Sequence, residues 1–200
     1  MAMHFQKLFN HAGRIDITEN ILEIGSDRGE GSTIILAHIA SFAKKTMYSV
    51  DMDTAIIDRN QKKYAKFPIN FVCQKGEEFL DQNSNLKFSL VLLDNFDWDW
   101  HPNQPHDDIM QGQVSRYKDE FNLDLTNINS QQAHLLQAIK LKDMFSENAM
   151  VVCDDTWVTP DNTYSGKCGA AIPYLMTLGF ELAEQNNIGT GVILIRNKKE

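Results

Sequence analysis

The chain has 200 residues, 42% hydrophobic and 23% charged, which suits one domain with a core of its own. A formal net charge of −8 and the lack of a basic block argue against a nucleic-acid partner, because phosphate backbones are bound mainly through Lys and Arg. The first residues, "MAMHFQKLFNHAG", hold no long apolar core, so neither a signal peptide nor a membrane anchor is expected.

Residues 20–25 (NILEIG) read as a short buried strand, 31–45 (GSTIILAHIASFAKK) as a helix with an apolar face, and 46–51 (TMYSVD) as a second strand. Residues 54–67 are helical up to Pro68. A third strand follows at 69–74 (INFVCQ), then a short helix, EEFLDQN. The run FSLVLLD (88–94) is a fourth, strongly apolar strand. Residues 130–145 form an amphipathic helix with Ser130 as its expected N-cap, and AMVVCD (149–154) is a fifth strand. A helix over 169–179 carries Pro173 near its start, and FELAEQ and TGVILIRN close the chain as an antiparallel pair. Alternating strands and helices, with strands apolar almost throughout, predict a parallel sheet covered on both faces. Residues 95–129 break the rhythm. They are polar and aromatic-rich, and a loop of that length in a compact domain is usually functional or partly disordered. The cysteines Cys73, Cys153 and Cys168 lack CxxC spacing and read as reduced packing residues of a cytoplasmic protein.

The first strand runs into a glycine-rich turn, Glu23-x-Gly25-x-x-x-Gly29-x-Gly31-Ser32. Glycines there permit a tight turn and a close ligand approach, and the following helix offers free N–H groups. The spacing is neither the dinucleotide fingerprint G-x-G-x-x-G nor a Walker A loop. Asp51 stands past the second strand, about 20 residues beyond the turn, where an acid can accept both hydroxyls of a ribose. Gly76 and Glu77 follow the third strand on the same sheet edge. Asp94 ends the fourth strand, and Asp154 and Asp155 end the fifth. Neighbouring strands lie about 4.8 Å apart, so the three acids can converge. Together they would repel unless a cation compensates them, and an all-oxygen set suits a hard ion such as Mg²⁺. The plainer reading is that Asp155-Thr156 caps the next turn.

The segments "LEIGSDRGEGS", "VDMD" and "KGEEFL", with the seven-strand rhythm, resemble the class I S-adenosylmethionine-dependent methyltransferases. The resemblance covers nearly the whole chain. It implies a single α/β doubly wound, Rossmann-like domain over residues 1–200, with a seven-stranded sheet of order 3-2-1-4-5-7-6 and an antiparallel last strand. It implies that Glu23, Gly25, Ser26, Gly29, Gly31 and Ser32 hold the methionine part of S-adenosylmethionine. Asp51 and Met52 would hold the ribose, Gly76 and Glu77 would lie near the adenine, and Asp94 would border the same cofactor.

The acids are also similar to those of the metal-dependent, catechol-type O-methyltransferases. In that subfamily an Asp after strand four and an Asp-Asn pair after strand five hold a divalent ion. The match makes Asp94, Asp154 and Asp155 the implied ligands, with Asp155 where Asn is usual. The subfamily's Lys, three residues past the first Asp, is Asp97 here. The segments "SQQAHLLQAIKLKDMF", "VVCDDTW" and "GKCGAAIPYLMTLGF" resemble bacterial methyltransferases of sugar and natural-product tailoring.

The expected reaction is methyl transfer to a hydroxyl of a small molecule: a sugar, natural product or phenol. Either a divalent cation lowers the hydroxyl's pKa, or a base takes its proton; His134, Asp94 and Asp155 are the candidates, with a satisfied, buried or half-buried histidine as the other reading of His134. Residues 95–129 are expected to form the acceptor pocket and a lid. Trp98, Trp100 and Trp157 would wall the pocket or anchor the lid. His101 and His106 would be solvated or would touch the ligand, and Lys167 would be a loop cation for an anionic acceptor group. No nucleic acid and no membrane is expected as partner. Oligomeric state stays open, a homodimer among the options. The alternative from another class is a non-catalytic nucleotide-binding module.

Overall fold

The computed structural model describes residue 13 and residues 16–102, 104–185 and 191–197; the segment up to residue 12, read above for a leader, lies outside them. In chain order the elements are β1 (Asn20–Ile24), α1 (Ser32–Ala43), β2 (Met47–Asp51), α2 (Thr54–Lys63), β3 (Ile69–Cys73), α3 (Gly76–Gln82) and β4 (Phe88–Leu93). Then come α4 (Asp108–Phe121), α5 (Asn127–Leu141), β5 (Phe145–Cys153), β6 (Thr156–Val158), β7 (Tyr164–Gly166), α6 (Ala171–Thr177), β8 (Glu181–Gln185) and β9 (Val192–Arg196).

Seven strands form one sheet in the order β3-β2-β1-β4-β5-β9-β8. Counted without the separate β6–β7 hairpin, this is the expected order 3-2-1-4-5-7-6. β9 runs antiparallel to both of its neighbours, and the other pairings are parallel. Side-chain alternation explains why the strands are apolar on both sides. Ile21, Leu90, Leu92, Met150, Val152, Ile193 and Ile195 pack on one face against Ile35, Leu36 and Ile39 of α1. Leu22, Ile24, Leu93, Val151, Cys153 and Leu194 pack on the other, against α3, α5 and α6. Each fully buried Leu or Ile contributes roughly 1.5–3 kcal/mol relative to exposure.

Three local features differ from the sequence reading. α5 starts at Asn127, capped by Thr126, whose Oγ1 accepts from Asn129 N at 3.1 Å. Ser130 is therefore inside the helix and fully buried. The 95–129 stretch is no plain loop, since it contains the 14-residue helix α4. Tyr117 is the one buried residue of that helix, so it carries no apolar stripe to reveal its period. The β6–β7 hairpin also escaped prediction, because three-residue strands are too short to show alternation. No described helix is long and apolar enough to cross a membrane.

Candidate active site

Sheet register sets the site. Ile24 pairs with Val50 on one side and Leu93 on the other, and Leu93 pairs with Cys153. One step further, Asp51, Gly25, Asp94 and Asp154 stand abreast at the carboxyl edge. Backbone bonds carry the ladder to that step: Gly25 N to Val50 O (2.9 Å), Asp94 N to Ile24 O (2.9 Å) and Asp154 N to Leu93 O (3.1 Å). Gly25 must be glycine for two reasons. Its φ is +92°, and a Cβ there would lie 2.5 Å from Asn95 N and 2.6 Å from the Asp94 carbonyl carbon. Gly25→Ala is therefore expected to destabilise the fold by about 2 kcal/mol or more, lowering Tm by at least about 4 °C in thermal denaturation.

A cavity of about 730 Å³ opens over this row, within the range of small-molecule sites. Its wall includes Gly25, Asp51, Met52, Gly76, Glu77 and Asp94 from the expected cofactor set. Asp51 is locked in place: its Oδ2 accepts from Ser26 N (3.0 Å) and Oγ (3.3 Å), and its Oδ1 accepts from Asp53 N (3.0 Å). Burial raises its pKa, and the bonds from the turn pull it back.

Glu23, Ser26, Gly29, Gly31 and Ser32 do not line the cavity; they build the turn from behind. Strand alternation points Glu23 at α1, where its carboxylate accepts from Ser32 Oγ (2.6 Å), Thr33 Oγ1 (2.9 and 3.0 Å) and Ser49 Oγ (2.7 Å). Burial pushes the Glu23 carboxyl up to about 7 against the pull of those hydroxyls. Gly29 lies against Asn60 and Tyr64, whose hydroxyl donates to the Gly29 carbonyl.

The acids do converge: one oxygen each from Asp94, Asp154 and Asp155 lie within 4.8 Å of one another. A lysine is already there. Lys167 Nζ lies 2.9 Å from Asp94 Oδ1 and 3.0 Å from Asp155 Oδ2, with its side chain 5% exposed. Lys167 thus stands inside the site, with two of its ammonium's bonds going to the protein's own acids. Burial would lower its pKa, but Asp94, Asp155 and Asp154 together hold it well above the ordinary value. Burial pushes the Asp94 carboxyl well up; Lys167 draws it down, and Asp154 pushes it up again. The ammonium already occupies the space between Asp94 and Asp155 and holds one oxygen of each, so a divalent ion bound between them would have to displace Lys167.

The 95–129 stretch reaches the site through α4. Gln113, Arg116 and Tyr117 line the cavity, and Arg116 pairs with Asp53, which also caps α2. The Tyr117 hydroxyl accepts from Asp97 N at 3.1 Å, and its ring lies 5.1 Å from that of Phe96. Helix α5 contributes Asn129, Gln132, Ala133 and Leu136, a stripe at i, i+3, i+4 and i+7 that the sequence could have disclosed.

His134 sits one position off that stripe. It is fully buried, its Nδ1 bonds Ser130 O at 2.7 Å, and burial lowers its pKa to about 3. It does not line the cavity, so its place is that of the buried histidine and not that of a base facing the site. Trp98 and Trp100 pack on Trp157, with ring centroids 6.0 and 5.4 Å apart, and none of the three lines the cavity. They tie the start of the 95–129 stretch to the β6–β7 hairpin. His106 pairs with Asp99 at 2.9 Å, and His101 is exposed; neither is in the wall. Cys73, Cys153 and Cys168 are free thiols, the last two buried.

No protein-family model matches the chain, and no curated protein matches it. Solved structures do. An O-methyltransferase from Bacillus cereus, in complex with S-adenosylhomocysteine, superposes with a TM-score of 0.59 at 16% identity, over 98% of this chain and 79% of that one. A candidate rRNA-methylase from Clostridium thermocellum gives 0.59 at 8% identity, covering 100% and 98% of the two chains. The S-adenosylmethionine-bound fibrillarin of Aeropyrum pernix gives 0.53 at 10% identity, covering 88% and 65%. The chain therefore has the α/β Rossmann-like fold of the S-adenosylmethionine-dependent methyltransferases. These neighbours include proteins described by both O-methyl and rRNA-methyl activity, so the fold leaves the acceptor to the site.

Proposed function

We propose that the chain transfers a methyl group from S-adenosylmethionine to a hydroxyl of a small molecule. The observation that carries this reading is one continuous cavity. It joins Asp51 and Gly25, where a ribose and methionine would lie, to Asp94, Asp155 and Lys167 beneath a lid. Nine acids line it (Asp27, Asp51, Asp53, Glu77, Glu78, Asp94, Asp97, Asp154 and Asp155) against three cations (Lys75, Arg116 and Lys167). That balance favours a sulfonium and opposes a polyanion, which speaks for a small acceptor over nucleic acid.

S-adenosylmethionine supplies an electrophilic methyl on a positively charged sulfur. Asp51 would fix the ribose, and the cavity wall would align the acceptor oxygen behind the methyl carbon. The oxygen–carbon bond would form as the carbon–sulfur bond broke, the sulfur leaving neutral with the electron pair. Asp94 lies in the cavity wall and is the candidate to receive the hydroxyl proton: Lys167 beside it favours the ionised form from which a base must start, and burial favours the proton it would gain. Tyr117, Phe121 and Leu123 of the lid region would exclude water.

Calorimetric titration tests the reading. S-adenosylhomocysteine should bind with Kd of about 1–100 μM, and NAD should give no heat of binding. Silence with S-adenosylhomocysteine would overturn the assignment.

A further inference from the structure

We propose that Lys167 is the resident cation of the Asp94–Asp154–Asp155 centre and takes the place of a divalent metal there. The inference rests on the methyltransferase reading only for its meaning in catalysis; the cation assignment stands on geometry.

Three observations support it. First, the ammonium contacts two of the three carboxylates at 2.9 and 3.0 Å, which is charge-assisted hydrogen-bond distance. A Mg²⁺ ion needs its oxygens at about 2.0–2.1 Å and would have to expel the lysine from between them. Second, the lysine leaves the same hairpin that Asp154 and Asp155 enter. Thr156 pairs with Gly166, and Lys167 N donates to Asp155 O at 3.0 Å. Cys168 N donates to Thr156 Oγ1 (3.0 Å), which donates in turn to Asp154 O (2.7 Å). Gly166 has φ +90°, and a Cβ there would lie 2.0 Å from Asp155 O, so the backbone before the lysine is pressed against that of the acid pair. Third, Lys167 is 4% exposed yet belongs to the cavity wall. Leaving the site would take more than a side-chain rotation into solvent.

An ammonium has three donors. Two are spent on Asp94 and Asp155, and the third can hold an acceptor oxygen as it gains negative charge. Lys167 then does electrostatically what a metal would do, without releasing an ion.

The test is titration of the full chain with Mn²⁺ and with S-adenosylhomocysteine, in wild type, Lys167→Met and Lys167→Arg. Wild type and Lys167→Arg should show no Mn²⁺ binding up to about 1 mM, and EDTA should leave S-adenosylhomocysteine affinity unchanged. Lys167→Met should gain a Mn²⁺ site with Kd of about 1 mM or tighter, read by calorimetry and by a metal-dependent rise in Tm. Micromolar Mn²⁺ binding by wild type would overturn the proposal, as would a folded Lys167→Met that gains none. If Lys167→Met does not fold, the wild-type and Lys167→Arg titrations decide alone. Wild type that binds neither Mn²⁺ nor S-adenosylhomocysteine would remove the methyltransferase reading and leave the lysine assignment standing.

Discussion

Asp51→Ala should weaken S-adenosylhomocysteine binding by about 100-fold, with the loss read directly as Kd. The size follows from two charge-assisted bonds to ribose hydroxyls, together worth about 3 kcal/mol. Both oxygens of Asp51 are already oriented by backbone N–H groups of Ser26 and Asp53; Oδ1 keeps a lone pair for a ligand, and Oδ2 gains one when the Ser26 hydroxyl, at 3.3 Å, turns away. Those same bonds mean that the substitution also loosens the β1 turn, so Tm without ligand must be measured alongside. A fall in Tm of a few degrees with a Kd within threefold of wild type would show Asp51 to be a turn brace and not a ribose ligand. A large rise in Kd at concentrations where the variant remains folded would tie the β2 edge to the nucleoside.

Asp51 was legible in the sequence because a parallel sheet announces its own edge. An apolar run, then an acid, marks a strand's carboxyl end. Met52, Gly76, Glu77 and Asp94 were found in the same way and line the cavity. Where the chain leaves that logic, the sequence fell silent. Glu23 follows the same family pattern, yet alternation along β1 turns it to the opposite face from Leu22 and Ile24, onto α1. Lys167 arrives through a hairpin of three-residue strands, and nothing periodic ties "SGKC" to "CDDT". His134 shares a helix with the cavity stripe, but 100° of rotation separates facing a site from being buried beside it. The acid pair after β5 raised the right question, which was what cation compensates it. The structure's answer lies twelve residues beyond Asp155, held by Gly166.

Glu23 carries the second large effect, and its sign depends on pH. Glu23→Ala should cost about 3 kcal/mol, because Ser32, Thr33 and Ser49 lose their shared acceptor inside the protein. In a chain of this size that is a fall in Tm of about 6–12 °C. Glu23→Gln keeps the shape and the capacity to bond the hydroxyls but cannot titrate. In the fold the carboxyl is raised to about 7 from an ordinary 4.5. The folded state therefore holds the proton more tightly than the unfolded chain does. The resulting stability is fully present below about pH 4.5 and is lost as pH rises through about 7, a change of about 3 kcal/mol. Other buried acids, Asp94 among them, act in the same direction in wild type and variant alike. The informative quantity is thus the difference in Tm between wild type and Glu23→Gln, measured at pH 5 and at pH 8. Wild type should lose about 5–10 °C relative to the variant across that window, since pH 5 to pH 8 spans about 2.5 kcal/mol of the change. Parallel curves would mean that Glu23 keeps an ordinary carboxylate's affinity, and that the three hydroxyls, by stabilising its charge, outweigh its burial beneath α1.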